Sequence, residues 1–255
     1  MKKLLICLLI LLTTASLLGC QTKVDDTAKT WTDQLKSTDK IVIGISPDYP
    51  PFESLTTDNQ IEGFDIDMIN TLISYLADNM EIEFAQMEFS TIVTAVQTGQ
   101  VDIGLSGFTY DADRDVIFSE PYLSSAQVVL VKSDSTITSI ADLSGKTVGA
   151  QLGTTGEEAA NGIEGVTEVI SFNDTLVGLE SLNNNIIDAF VTDLAVATNY
   201  ESTGNYVVLD EPLLDESMSI IIKNGNDLLA AKINELISQF TVSEEYQTLI
   251  TKWGV

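Results

Sequence analysis

Four short segments carry side chains that converge on one kind of chemistry. "SGFTYDADR" holds Arg114, the only arginine in the chain. A guanidinium presents a planar fork of N–H donors that matches a carboxylate. In the same segment Gly107 allows close backbone approach and Thr109 offers a hydroxyl. "QLGTTGEE" places Thr155 at a predicted helix start, where exposed N–H groups favour an anion. "FVTDLAV" ends an apolar stretch at Asp193, a fixed negative charge suited to an ammonium. Tyr49 in "ISPDYPPFE" and Phe89 in "MEFST" supply apolar walls, whereas Phe52 reads as core. Each residue alone has a plainer reading as a cap, a turn or an ion pair, and Asp193 stands where helix N-caps stand. Together they fit a zwitterionic α-amino acid.

The composition removes several other chemistries. There is no histidine, which excludes Ser-His-Asp and Cys-His catalysis and histidine metal ligation. "DADRD" spaces three aspartates alternately, but a calcium loop starting at Asp111 would need Gly and Glu where Val116 and Tyr122 stand. No metal and no cofactor is expected. The net charge of −26 argues against binding nucleic acid or an anionic membrane by charge.

The elements that must position these residues follow from periodicity. "KIVIGIS", "EIEFAQM", "VDIGLSG", "AQVVLVK", "KTVGAQ", "TEVISF", "IDAFVTD" and "SMSIIIK" read as strands. "GFDIDMINTLISYLADN" puts Ile66, Ile69, Leu72, Ile73 and Leu76 on one helical face. "FSTIVTAVQTG" predicts a helix capped by Ser90 and ended by Gly99. Further helices are predicted at 174–183, from Leu194, and over "NDLLAAKINELISQF" and "SEEYQTLITKW", with a short one at 31–36. Alternating strands and helices indicate an α/β fold with a largely parallel sheet, in two lobes facing a ligand cleft. Asp65 and Asp67 fall in a first helical turn and read as structural, complementing the helix dipole.

The N-terminus reads separately. Lys2 and Lys3 precede an apolar run from Leu4 to Leu12, and Leu17-Leu18-Gly19-Cys20 closes it. The run is short for a bilayer span and has the flanks of an export signal. Its Gly-Cys ending resembles the lipobox of bacterial lipoproteins, which implies a signal over 1–19, acylation of Cys20 and a tether over 20–39. Cys7 lies in the signal, so no intramolecular disulfide is expected after its removal.

"YPPFE", "GFDIDM", "SGFTYDADR" with "FSEPY", "LGTTGEE" and "DAFVTD" occur in an order that resembles the polar amino acid-binding proteins of ABC importers, a type II periplasmic-binding-protein fold. The resemblance covers residues 40–255. It implies lobe 1 over 40–124 and 217–255, lobe 2 over 127–211, and hinge crossings at 123–126 and 212–216. It implies that Arg114 grips the ligand carboxylate with help from Thr109 and Thr155. The ammonium would meet Asp193 and the carbonyl of Gly107, with Tyr49 and Phe89 as aromatic walls. Ser46, Gln151 and the Tyr110-Asp111 pair depart from relatives around the expected side-chain pocket. Asp48, Glu88 and Asp111 remain candidates for a cationic side chain, so a basic and an uncharged polar amino acid both stay open. The implied role is an extracytoplasmic, lipid-anchored, monomeric binding protein, not an enzyme, serving a permease and its ATPase. The alternatives are an amino-acid sensor and a cyclohexadienyl-dehydratase-like enzyme on the same fold.

Overall fold

The computed structural model describes residues 29–37, 39–76 and 80–255. The expected export signal and the acylation site Cys20 lie outside these residues, as does most of the tether. Trp31–Val255 form one compact unit.

A 3-10 turn, Trp31–Gln34, precedes β1 (Lys40–Ile45), β2 (Asp48–Tyr49), β3 (Glu53–Leu55), β4 (Ile61–Glu62) and α1 (Phe64–Ser74). Then come β5 (Glu81–Gln86), α2 (Phe89–Thr98), β6 (Ile103–Thr109), β7 (Ile117–Phe118) and the long β8 (Leu123–Lys132). After a second 3-10 turn, the chain alternates through β9 (Thr147–Gln151), α3 (Thr155–Asn161), β10 (Glu168–Phe172), α4 (Thr175–Asn183), β11 (Ala189–Asp193) and α5 (Leu194–Glu201). It closes with β12 (Tyr206–Val208), β13 (Leu214–Ile222), α6 (Asp227–Phe240) and α7 (Glu244–Trp253).

The main sheet runs β10-β9-β11-β8-β13-β6-β1-β5, with β12 beside β8 and β7 beside β13. It is mixed rather than largely parallel. β5, β1 and β6 are parallel to one another, as are β10, β9 and β11. Between these sets β8 and β13 run antiparallel to their neighbours. The reason is topological: the chain crosses the middle once in each direction. The start of β8 pairs with the start of β13, Leu123 opposite Met218 and Gln127 opposite Leu214. Beyond that, β8 continues along β11 and β13 along β6. Both strands begin earlier than their apolar runs, because the crossing segments are themselves paired.

Strand alternation divides the core by face and by lobe. In the first lobe Ile41, Ile43, Ile103, Leu105 and Ile220 face α1 and α6, while Val42, Phe108 and Ile221 face α2. In the second, Val129, Val131, Val148 and Val191 form one face and Val128, Leu130 and Phe190 the other. Each such side chain, fully buried, contributes roughly 1.5–3 kcal/mol. The molecule is thus two α/β lobes on either side of the β8–β13 pair. α5 touches both cores, Val196 packing into the first and Ala197 into the second.

Local signals explain most element ends. Gly63 precedes α1 with φ +146°, and a Cβ there would lie 1.9 Å from the Phe52 carbonyl oxygen. Gly99 ends α2 in the left-handed conformation. Ser90 is not the cap of α2; that position belongs to Glu88, and the helix begins at Phe89. The small sheet β2-β3-β4 has no signature in the sequence, since two- and three-residue strands carry no periodicity.

Candidate ligand-binding site

One narrow pocket is lined by Tyr49, Phe89, Ser106, Gly107, Thr109, Arg114, Gln127, Gln151, Thr154, Thr155 and Asp193. Strand ends position Tyr49, Gly107, Thr109, Gln151 and Asp193. β2 carries Tyr49, β6 ends through Gly107 and Thr109, β9 ends at Gln151, and β11 ends at Asp193. Phe89 and Thr155 are the first residues of α2 and α3.

Arg114 lies in the loop after β6. Its Nη1 donates to the Thr109 carbonyl at 3.2 Å and its Nη2 to the Gly153 carbonyl at 2.9 Å. Nε faces the Asp111 carboxylate at 3.4 Å. The guanidinium carbon sits 5.7 Å from the centre of the Phe89 ring and 5.3 Å from that of Phe108. Phe89 and Phe108 stack at 4.6 Å and form its apolar floor. Burial pulls the guanidinium below its usual pKa, opposed by Asp111, Glu158 and Glu216. Asp111 is therefore an orienter of Arg114. Two of the five guanidinium N–H donors are hydrogen-bonded this way, and two of those remaining suffice for one carboxylate.

Asp193 occupies the N-cap position of α5 but makes no capping bond from its side chain. It accepts instead from Ser125 Oγ at 2.6 Å, Tyr49 Oη at 2.6 Å and Gln127 Nε2 at 3.2 Å. Burial pushes its pKa up to about 6, and the hydroxyl donors hold it from going higher. Burial also holds the Tyr49 phenol well above its ordinary pKa, so it remains a donor. Gly107, at φ +60°, has room for a Cβ only at 3.6–3.7 Å from Met218 and Tyr49. The positive φ is what favours glycine there.

Two further groups, Glu216 and Gln127, join the site without a clear mark in the sequence pattern. Glu216 Oε2 accepts from Thr109 Oγ1 and from Gln127 Nε2, both at 3.0 Å. Glu216 Oε1 and Gln127 Oε1 are buried without a partner among the described residues. A lone glutamine inside the apolar run "AQVVLVK" is the available signal for Gln127. Glu216 sits in the crossing ahead of an apolar strand, where nothing in the pattern marks it.

At the far end Gln151 Nε2 donates to Asp48 Oδ2 at 2.9 Å. Asp48 also accepts from Ser46 Oγ at 2.8 Å and from the Thr175 backbone N–H at 2.7 Å. Burial raises the Asp48 carboxyl, and these bonds oppose the rise. Ser46 is buried behind Asp48 and does not line the pocket. Glu88 is exposed and lies outside it too.

Beneath the pocket floor lies a second carboxyl site. Glu53 and Asp65 are fully buried, and each carboxyl shifts the titration of the other. Glu53 accepts from Ser106 Oγ at 2.6 Å and Asp65 from Tyr122 Oη at 2.9 Å. Burial first, then mutual repulsion, lifts Glu53 well above the carboxylate range, and burial lifts Asp65 to about 7. Asp65 is thus structural, but through this pair rather than through the helix dipole. Asp67 accepts from Lys252 Nζ and the Trp253 indole, at 2.6 and 2.7 Å.

The model of the family described as bacterial extracellular solute-binding proteins, family 3, matches residues 41–255. The chain is 32% identical over 223 residues to the arginine-binding extracellular protein ArtP of Bacillus subtilis, covering 84% of this chain and 86% of that one. Its fold matches the substrate binding protein of an amino acid ABC transporter with a TM-score of 0.78 at 35% identity, over 84% of this chain and 98% of that one. It also matches the ancestral amino acid-binding protein AncCDT-1, a precursor of cyclohexadienyl dehydratase, with a TM-score of 0.79 at 32% identity. That match covers 84% of this chain and 95% of the other.

Proposed function

The chain belongs to the bacterial extracellular solute-binding proteins of family 3, and on that footing we propose that it captures a polar L-amino acid for an ABC importer. One observation carries the reading. Arg114 and Asp193, opposite charges from distant parts of the chain, line the same pocket. Arg114 takes the α-carboxylate, assisted by Thr155 at the start of α3. Asp193 and the Gly107 carbonyl take the ammonium. Tyr49 and Phe89 enclose the carbon skeleton, and Gln151 meets the side chain. Thr109 serves differently from the sequence expectation. Its hydroxyl proton goes to Glu216, so its oxygen is left to accept from the ammonium rather than to donate to the carboxylate.

Lobe 1 is taken as 40–124 with 217–255 and lobe 2 as 127–211, with 123–126 and 212–216 as hinges. Bonds across the cleft support closure as the capture step. Tyr49 bonds Thr192 and Asp193, Asp48 bonds Gln151 and the Thr175 N–H, and Arg114 bonds the Gly153 carbonyl. Hinge closure of this kind lets a ligand that bridges the lobes favour the closed form. The closed complex then delivers its cargo to a membrane permease and its ATPase. An acylated Cys20 would hold the protein at the membrane surface, since several lipid chains on one residue suffice for stable anchoring.

A thermal-shift screen against the common L-amino acids tests the reading. A ligand at a thousand times its Kd adds about 4 kcal/mol of stability, which moves the melting point by several degrees. If no amino acid shifts it, the proposal fails. The protein is read as a binder rather than an enzyme, and release of phenylpyruvate from prephenate would overturn that part.

A further inference from the structure

We infer that a groove beside the amino-acid pocket is a second ligand site, one that takes an organic cation. The groove encloses about 830 Å³, within the range of small-molecule sites. Both crossings build it, with Ser124 and Ser125 from the start of β8 and Asp215, Glu216 and Ser217 from the start of β13. The end of β6 and the segment around β7 complete it. Of its lining residues only Thr109 also lines the amino-acid pocket. Ser125 links the two, since its Oγ donates to Asp193.

The charge of this groove is one-sided. Asp215 and Glu216 line it, and no lysine or arginine does. Neither acid has an ion-pair partner among the described residues. Arg114 feels the charge of Glu216 but spends its contacts on Thr109, Gly153 and Asp111. Glu216 is only 8% exposed, and its Oε2 meets neutral donors alone, Thr109 Oγ1 and Gln127 Nε2. Its Oε1 has no partner among the described residues. A buried carboxylate without a counter-charge is costly, and a cation in the groove supplies that charge.

The rest of the lining suits the same occupant. Tyr110 and Phe118 form an aromatic wall, their rings edge to face at 5.2 Å. Tyr110 is 69% exposed, and an open ring beside carboxylates attracts cations. Ser124 and Ser217, opposite each other in register, add hydroxyls that accept from N–H donors. A phosphate or an α-carboxylate finds no cationic side chain here. A metal ion finds no group of three or more acidic, histidine or cysteine ligands among the described residues. An ammonium or guanidinium on a short hydrocarbon chain satisfies the whole set, its N–H groups on the acids and hydroxyls and its carbons against the rings.

Agmatine is a suitable probe, because it carries a guanidinium and an ammonium but no carboxylate for Arg114 to grip. Titrated calorimetrically into the full chain at about 0.15 M salt, which screens diffuse attraction to the acidic surface, it should bind at a single site. Tyr110→Ala and Asp215→Asn change exposed residues that line the groove and not the amino-acid pocket. Each should weaken agmatine about threefold or more, and Glu216→Gln about tenfold or more. Absence of saturable binding overturns the inference, as does unchanged affinity in any of the three variants. Binding that Asp193→Asn abolishes while Tyr110→Ala and Asp215→Asn retain it places agmatine in the amino-acid pocket and overturns it too. Amino-acid capture is judged separately, by the thermal-shift screen.

Discussion

Asp193 and the Glu53–Asp65 pair are both buried carboxyl sites, lifted above the ordinary carboxylate range chiefly by loss of solvent. Their surroundings differ. Asp193 faces the pocket and collects neutral donors from Tyr49, Ser125 and Gln127. Those donors favour the ionised form and leave it at about 6, charged at neutral pH and ready for a cation. Glu53 and Asp65 face each other instead, with one hydroxyl donor apiece. Two carboxylates in contact cannot both ionise cheaply, so the pair retains a proton. The same desolvation thus yields a ligand group where donors converge and a proton-holding acid pair where a second acid does.

The largest expected effect separates the two sites by function. Asp193→Asn should weaken amino-acid binding about a hundredfold or more, since loss of one member of a buried charged pair costs about 2–5 kcal/mol. Glu53→Gln, by contrast, should leave affinity within about threefold in the same titration. Equal losses would erase the distinction.

A second expectation concerns pH. A ligand ammonium requires ionised Asp193, so affinity should fall as pH drops below about 6, approaching tenfold per unit. Asp193→Asn should lose this dependence. Titrations between pH 4.5 and 8 read it directly.

The third concerns stability without ligand. Asp65 binds its proton more tightly folded, at about 7, than unfolded, near the ordinary aspartate value of 3.8. The folded state then holds more protons within that interval, so stability is greatest on the acid side and declines as pH rises towards about 7. Asp65→Asn removes the carboxyl that titrates near 7, so its melting point should vary less between pH 5 and 8 and exceed wild type at pH 8. A melting curve of the variant that tracks wild type across that range would contradict the raised Asp65 titration.

The smallest effect is expected at Asp67, two residues along the same helix but partly exposed. Asp67→Ala removes its bonds to Lys252 and Trp253. It should cost at most about 1 kcal/mol, as partly exposed ion pairs do.

Much of the site is legible in the sequence, for reasons that differ by residue. Arg114 stands out as the only guanidinium, and Tyr49, Gly107, Thr109, Thr155, Gln151 and Asp193 each follow or end a strand. Chain exits from strands are where α/β folds gather ligand groups, so reading the strands locates the pocket wall. Glu216 and Gln127 escape because they lie in the paired crossing segments, where a polar residue in a strand has no periodic signature. Glu53 and Asp65 meet only in space, their contact being set by how β3 and α1 pack. The mixed sheet is hidden for the same reason: strand direction at β8 and β13 depends on the crossings and not on local pattern.

The most direct test of the account is calorimetric titration of Arg114→Ala with the amino acid that most stabilises the wild-type chain. No second arginine exists to substitute for the lost guanidinium. The account predicts at least a hundredfold loss of affinity, and an unchanged dissociation constant would contradict it.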